Sequence, residues 1–359
     1  MFAPVYSITP AITKALMSVE ADRQAVADLP IDVTVLASLR ETARLVSAHY
    51  STQIEGNRLT QAQVRAVVAG ARFPGKERDE LEVRHHYRAL EEMEKLAAGR
   101  KPLREMQLRR LHGLVMTGQS KPTPYRDGQN VIRNSRTRDI VYMPPEAKAV
   151  PGLMRDLVAW INRQLHEGEL PVPLIAALAH YQFATIHPYY DGNGRTARLL
   201  ANLILHQAGY GLKGIYSLDE YYAHNLTGYY EALTVGPSHN YHLGRAEADV
   251  TGFLAYFCEG MADAFSAVRA QAAMAAQRGA PDRAGQLRQL DPRERRLLVL
   301  FQRHATVTAA EIAKHLGLAH RTVVGLCRDW LKTGVLELKN PSRKNRSYRL
   351  GKALESLLK

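Results

Sequence analysis

Twelve residues constrain this chain more than any others: His187-Pro-Tyr-Tyr-Asp-Gly-Asn-Gly-Arg-Thr-Ala-Arg198. Before them, Val172 to Ile186 carries apolar and small side chains at helical spacing, with Pro173 placed in a first turn. Pro188 cannot continue that helix, because its ring removes a donor and clashes with the preceding turn. His187 is therefore expected at a helix C-terminal end, aimed into a loop. Asp191-Gly-Asn-Gly194 is that loop, and its glycines permit positive φ and a close backbone approach to a ligand. From Arg195 the helical period resumes through Leu199, Leu200, Leu203, Ile204 and Ala208, up to Gly209. The first N–H groups of this second helix lack intrahelical acceptors and form a phosphate cradle.

The side chains complete a site. Asp191 is a hard oxygen ligand beside the cradle, suited to a Mg²⁺ ion that keeps most of its waters. Arg195 and Arg198, three apart, share a face of the first turn and are placed to reach a polyphosphate. A histidine, a carboxylate, a glycine-bounded anion hole and two arginines together describe nucleotidyl transfer from a metal-bound triphosphate. The plainer alternative is a tight helix–loop–helix turn with a surface charge pair.

The stretch resembles the motif of the Fic family, His-Pro-Phe-x-Asp/Glu-Gly-Asn-Gly-Arg-x-x-Arg. Tyr189 stands where Phe is usual, and in a core position its hydroxyl needs a partner. The resemblance implies a mostly α fold, the Fic fold of a helical core with a β-hairpin flap. It also implies transfer of AMP from ATP, with Mg²⁺, to a Ser, Thr or Tyr hydroxyl of a target protein, the chain itself included. His187 would be the general base and Asp191 the Mg²⁺ ligand. Asn193 would hold the α-phosphate with the loop amides around Gly192 and Gly194, and Arg195 and Arg198 the β- and γ-phosphates.

Upstream lies Ser51-Thr-Gln-Ile-Glu55-Gly56-Asn57. By itself this is a helix end, with Glu55 as a solvated last-turn residue. Glu at a helix C-terminus faces the negative end of the dipole, however, and calls for a cation elsewhere. Ser51, Glu55 and Gly56 are similar to the family's autoinhibitory motif, here N-terminal to the catalytic one. The resemblance pairs Glu55 with Arg198 and blocks the γ-phosphate position.

Other segments fit around these two motifs. Thr60 to Gln63 reads as a capping box. Val131 and Ile132, then Ile140, Val141 and Tyr142, are β-prone runs about a polar turn from Asn134 to Asp139. They make a hairpin, and in the family this is the flap, whose edge, near Tyr142 and Met143, would pair with an extended target segment. His180 reads as a hydrogen-bonded core residue, since no third metal ligand lies at suitable spacing. Of the many tyrosines after Tyr216, Tyr229-Tyr230 best fits the family's pair that packs on adenine.

The chain has 359 residues and a net charge of +13. From Asp282 onward there are 17 Lys/Arg against 7 Asp/Glu, so the excess is concentrated in the tail and calls for an acidic partner there. The tail reads as a winged helix-turn-helix. One helix covers Arg293 to Gln302, a second opens at the Thr308–Glu311 capping box, and a third covers Arg321 to Lys332. Strands at Val335 to Leu338 and Ser347 to Leu350 flank a basic turn. Arg321, Thr322 and Arg328 on the third helix, with Arg343, Lys344 and Arg346 in the wing, are candidate DNA contacts. A basic packing or dimerisation module is the alternative, and makes a second copy of the chain a candidate partner.

The expected organisation is an N-terminal helical region over 1–100, a Fic core over 101–276, a linker over 277–291 and the winged helix over 292–359. No run of eighteen apolar residues and no signal peptide is visible, and Cys258 and Cys327 read as buried thiols. These features suit a cytoplasmic protein without a membrane partner. The rival functions are a DNA-binding regulator whose core only senses nucleotide, and an enzyme removing AMP with Glu55 aligning a water. The intact His187 favours an enzyme over the regulator, and AMP removal stays a further alternative.

Overall fold

The computed structural model describes residues 2–29, 31, 33–133, 140–277, 290–302, 304–340, 342 and 346–355. Two compact units emerge, residues 1–29 with 39–272 and residues 30–38 with 273–359.

The first unit is helical because its apolar residues repeat at helical spacing, and some of its helices open on capping side chains. Thr9 accepts from Ile12 N–H at the start of α1 (Pro10–Asp28), and α2 (Val33–Ile54), which belongs to this unit from Leu39 onward, carries Ser51 and ends just before Glu55. Thr60 and Gln63 close the expected capping box on α3 (Gln61–Val68). The helices α4 (Glu77–Ala98) and α5 (Glu105–Thr117) follow, the latter ended by Gly118 at φ 68°. A short antiparallel hairpin, β1 (Ile132–Arg133) and β2 (Ile140–Tyr142), sets Ile132 opposite Tyr142 and Arg133 opposite Ile140. The second strand covers the expected Ile140 to Tyr142, the first is shifted by one residue so that Val131 lies outside it, and the turn from 134 to 139 is outside the described residues.

Then come α6 (Val150–Glu167), α7 (Val172–Ile186) and α8 (Asn193–Gln207). Apart from Val172 and Ala184, every residue of α7 is buried, as expected of a helix that is apolar all round. It packs along α8, with α6 against α7 and both α4 and α5 against α8. The elements carrying the two halves of the motif are thus the centre of the unit. Each fully buried Leu or Phe there contributes about 1.5–3 kcal/mol, which fixes the loop between α7 and α8 at both ends. The unit closes with α9 (Leu218–His224), α10 (Leu226–Leu233) and α11 (Thr251–Gln277), the last belonging to it as far as Ala272.

In the second unit, Asp291 caps α12 (Pro292–Phe301) and Thr308 caps α13 (Ala309–Leu316), both by capping boxes. Gly317 in the left-handed region turns the chain toward α14 (His320–Thr333). Three antiparallel strands follow the order β3 (Val307–Thr308), β5 (Ser347–Leu350), β4 (Leu336–Asn340). Two residues are too few to show a strand period, so β3 was not expected. Leu297, Ile312, Val323, Trp330, Leu336 and Tyr348 share the core. This arrangement is compatible with a winged helix-turn-helix. Cys258 and Cys327 are free and buried. Among the described residues no helix is long and apolar enough to cross a membrane.

Candidate active site

Helix α7 stops at His187, which takes φ 50° and ψ 60° while its N–H still reaches Phe183 O at 3.0 Å. A non-glycine residue in the left-handed region is strained and persists because its surroundings hold it there. The holder is Arg126. Its Nε donates to His187 O at 2.9 Å, its backbone N–H to Pro188 O at 3.0 Å, and its Nη1 to Gly128 O at 3.1 Å. Its Nη2 donates to Pro145 O, tying the histidine backbone to the foot of the hairpin. Sequence reasoning missed Arg126, because a single arginine in a Pro- and Gly-rich loop carries no pattern.

His187 Nδ1 lies 3.4 Å from Ala184 O. With Nδ1 protonated, the Nε2 lone pair is left for an incoming hydroxyl. Burial, reinforced by Arg126, pulls the imidazole pKa down to about 4 against the weaker opposing pull of Ala184 O, so the ring is neutral near pH 7.

The loop is tied down from within. Asn193 is buried; its Oδ1 accepts from Tyr189 N–H at 3.0 Å and its Nδ2 donates to Tyr189 O at 2.8 Å. These bonds make Asn193 a clamp on the loop, where the family resemblance pointed it at an α-phosphate. Tyr189 is buried, its ring lying on His112, and its hydroxyl has no partner among the described residues. The partner expected for that hydroxyl is therefore not found. His112 Nε2 lies 2.9 Å from Asp191 O. Gly192 has φ 75°, and a Cβ there would fall 2.6 Å from Met116 Sδ, so only glycine fits.

Asp191 itself is open, its side chain 62% exposed, with Oδ1 accepting from Gly192 N–H at 2.6 Å. Arg195 is buried, its Nη2 3.5 Å from Asp191 Oδ1 and its Nε without a partner among the described residues. A single exposed carboxylate suits a Mg²⁺ that draws its remaining ligands from water and phosphate oxygens. No cluster of three His, Cys, Asp or Glu residues forms a metal cage among the described residues.

The Ser51 motif meets this loop through Arg198. Arg198 Nη2 lies 2.9 Å from Glu55 Oε1 and donates to Ser51 O at 2.8 Å, while Nε donates to Ser51 Oγ at 3.0 Å. Nε is also 3.2 Å from Asp219 Oδ1 on α9, a partner the sequence did not disclose. Glu55 Oε1 would lie 2.5 Å from a Cβ added at Gly194, so the carboxylate rests on the N-terminal turn of α8. An anion already sits where the sequence placed an anion cradle. Gly56, at φ 95°, turns the chain away directly afterwards.

The remaining expected residues divide. His180 is fully buried with Nε2 2.9 Å from Tyr229 Oη. Tyr229 is buried under Tyr222, ring centroids 4.9 Å apart, so it belongs to the core and offers no free face to adenine. Tyr230 is half-exposed, its hydroxyl donating to Ile54 O at 3.3 Å beside Glu55. On the hairpin, Ile140 is exposed and Val141 half-buried, but Tyr142 is buried and donates to Thr185 O at 2.7 Å. Tyr142 thus anchors the flap on α7 and is not part of its open edge. Met143 is also paired, accepting from Tyr241 N–H and donating to His239 O. In the second unit Arg321, Thr322, Arg328 and Arg346 are exposed, and Arg343 and Lys344 lie outside the described residues.

Residues 102–205 match the family model described as Fic/DOC family. That segment is a Fic/DOC family domain. Two similar proteins are both named protein adenylyltransferase Fic. That of Drosophila virilis is 31% identical over 204 residues, 55% of this chain and 40% of that protein. That of Drosophila mojavensis is 32% identical over 233 residues, 57% of this chain and 43% of that protein. The chain thus spans about two fifths of the length of these curated relatives. A solved Fic family protein from Desulfovibrio desulfuricans G20 has a TM-score of 0.59 at 24% identity, covering 98% of this chain and 99% of that one. The fold is thus shared over nearly the whole length, tail included. Fic-1 from C. elegans has a TM-score of 0.57 at 25% identity, covering 75% and 74%.

Proposed function

We propose that this Fic protein is an adenylyltransferase that moves AMP from ATP onto a hydroxyl of a protein, and that Glu55 restrains it. The observation carrying this reading is the Glu55 carboxylate on Arg198 and against Gly194, in the cradle that faces the neutral His187. A restraining anion in an anion site argues that the natural occupant is itself anionic. The curated relatives' name, adenylyltransferase, supports ATP as its source.

In the reaction, the target hydroxyl attacks the α-phosphorus and gives its proton to His187 Nε2, while pyrophosphate leaves. The amides of the loop and α8 hold the developing charge. Arg195 and Arg198 supply cations for the β- and γ-phosphates. Mg²⁺, held by Asp191, would screen the triphosphate. General-base help contributes roughly 10²–10⁴ in rate, so His187→Ala should retain little transfer. The exposed edge of the hairpin at Ile140 and Val141 would align the target segment by strand addition.

Incubation of the purified protein with ATP labelled at the α-phosphate, Mg²⁺ and cell lysate tests this. Protein bands that gain label with wild type and lose it with His187→Ala support the reading. Equal labelling by both would exclude His187 as the base.

A second reading concerns the tail. Arg321 and Arg328, two turns apart on α14, are both exposed, a placement that suits phosphate contacts on duplex DNA. Binding of a labelled duplex should then weaken steeply with salt as counterions are released. No salt-dependent shift would leave α14 as a protein-binding face.

A further inference from the structure

Arg198 meets two carboxylates of different character. Glu55 is 29% exposed and sits at the end of α2, next to a left-handed glycine. Asp219 is 2% exposed, and its Oδ2 accepts from Ser47 Oγ at 3.0 Å, with Ser217 Oγ 2.8 Å further along. The guanidinium, 1% exposed, divides between them. Its Nε edge faces Ser51 Oγ and Asp219, and its Nη2 faces Ser51 O and Glu55. Nη1 is buried without a partner among the described residues, and lies 3.2 Å from where a Gly194 Cβ would stand. An arginine has five N–H donors in a rigid planar fork, so fixing one edge fixes the aim of the other.

We propose that Asp219 is a positioning residue that keeps Arg198 aimed at the terminal phosphates whether or not Glu55 is seated. The proposal rests on the nucleotide reading above. Glu55 must leave for the triphosphate to lie productively. If it were the sole counter-charge, its departure would strand a buried guanidinium, which is strongly unfavourable. Asp219 prevents this, because the Arg198–Asp219 pair stays neutral and keeps its Ser47 hydrogen bond. Nη1, and Nη2 once Glu55 has left, then face the cradle with the plane of the fork already set. Glu55 is the releasable counter-ion and Asp219 the permanent one.

The test uses the full-length protein with Glu55→Gly and measures binding of ATP and of AMP by calorimetry. AMP lacks the β- and γ-phosphates assigned to Arg198 but keeps the α-phosphate, so it reports on the fold, the nucleoside site and the amide cradle. Asp219→Ala should lower the ATP-over-AMP affinity ratio by about tenfold, or 1.4 kcal/mol, and leave AMP binding unchanged. Asp219→Asn keeps an oxygen toward Nε without the charge; it should fall between, and carries the test if the alanine variant does not fold. With Arg198→Ala added, the Asp219 change should no longer move the ratio. An unchanged ratio in folded Asp219→Asn and Asp219→Ala, or an equal fall for both nucleotides, overturns the proposal. A Glu55→Gly parent that binds ATP no better than AMP overturns the nucleotide reading and the proposal with it.

Discussion

The ring of Tyr189 lies flat on that of His112, centroids 3.5 Å apart and planes 11° from parallel. The stack seats the loop between α7 and α8, because His112 also reaches Asp191 O. The Tyr189 hydroxyl contributes nothing to it: the oxygen is buried and lacks a partner among the described residues. A buried unpaired hydroxyl is destabilising by about 1–3 kcal/mol. Tyr189→Phe should therefore raise the melting temperature, by about 2–4 °C for each kcal/mol regained in a unit of this size. Calorimetric melting of the two proteins decides it, and a lower Tm for the variant would contradict the account.

Arg126 is expected to matter to rate more than to nucleotide affinity. Its guanidinium holds His187 O, Gly128 O and Pro145 O, so Arg126→Ala releases both the strained histidine backbone and the foot of the hairpin. A small misplacement of the base costs about 10²-fold in transfer. Nucleotide binding to the α8 cradle, whose contacts are separate, should stay close to wild type. Labelling rates alongside ATP titrations of both proteins separate these effects; a loss of ATP binding equal to the loss of rate would make Arg126 merely structural.

Stability should decline on the acid side. His86, His112, His180, His187 and His206 all have imidazole pKa values lowered by burial, to about 4 for His112 and His187 and about 3 for His180. The folded protein keeps them neutral, while the unfolded chain protonates them near pH 6.5. Their contribution is thus complete above about pH 6.5 and is lost progressively as the pH falls toward 4, each differential proton counting about 1.4 kcal/mol per pH unit. Thermal melts from pH 7.5 to 4.5 should show a falling midpoint, and a flat midpoint would contradict the burial of these rings. The transfer rate, by contrast, should hold until the pH nears 4, where His187 itself takes a proton.

The sequence disclosed what local chemistry dictates. Pro188 and the glycines of the loop required a break between two helices, Thr60 and Thr308 marked helix starts, and the even apolar coverage of α7 placed it at the centre. The Glu55–Arg198 contact was legible because a carboxylate at a helix end needs a cation and the family resemblance named one. What stayed hidden depends on the third dimension. Asp219, Arg126 and His112 act through partners about 20 to 170 positions away, and nothing in their own neighbourhoods marks them. Asn193 and Tyr142 carry side chains that suit a ligand or an edge, yet packing turned both inward. Tyr229 and Tyr230 are adjacent and chemically identical, and only the fold of α10 separates the core ring from the half-exposed one.

The central claim is that Glu55, by pairing with Arg198 in the cradle of α8, holds AMP transfer in check. It is tested most directly by measuring label incorporation from α-labelled ATP into protein, the chain itself included, for wild type, Glu55→Gly and Glu55→Gly with Arg198→Ala. Glu55→Gly should gain about tenfold or more, each factor of ten corresponding to about 1.4 kcal/mol of removed restraint. The double variant should lose most of that gain, because Arg198 is the group that the first change releases. Glu55→Gly labelling no faster than wild type would contradict the account.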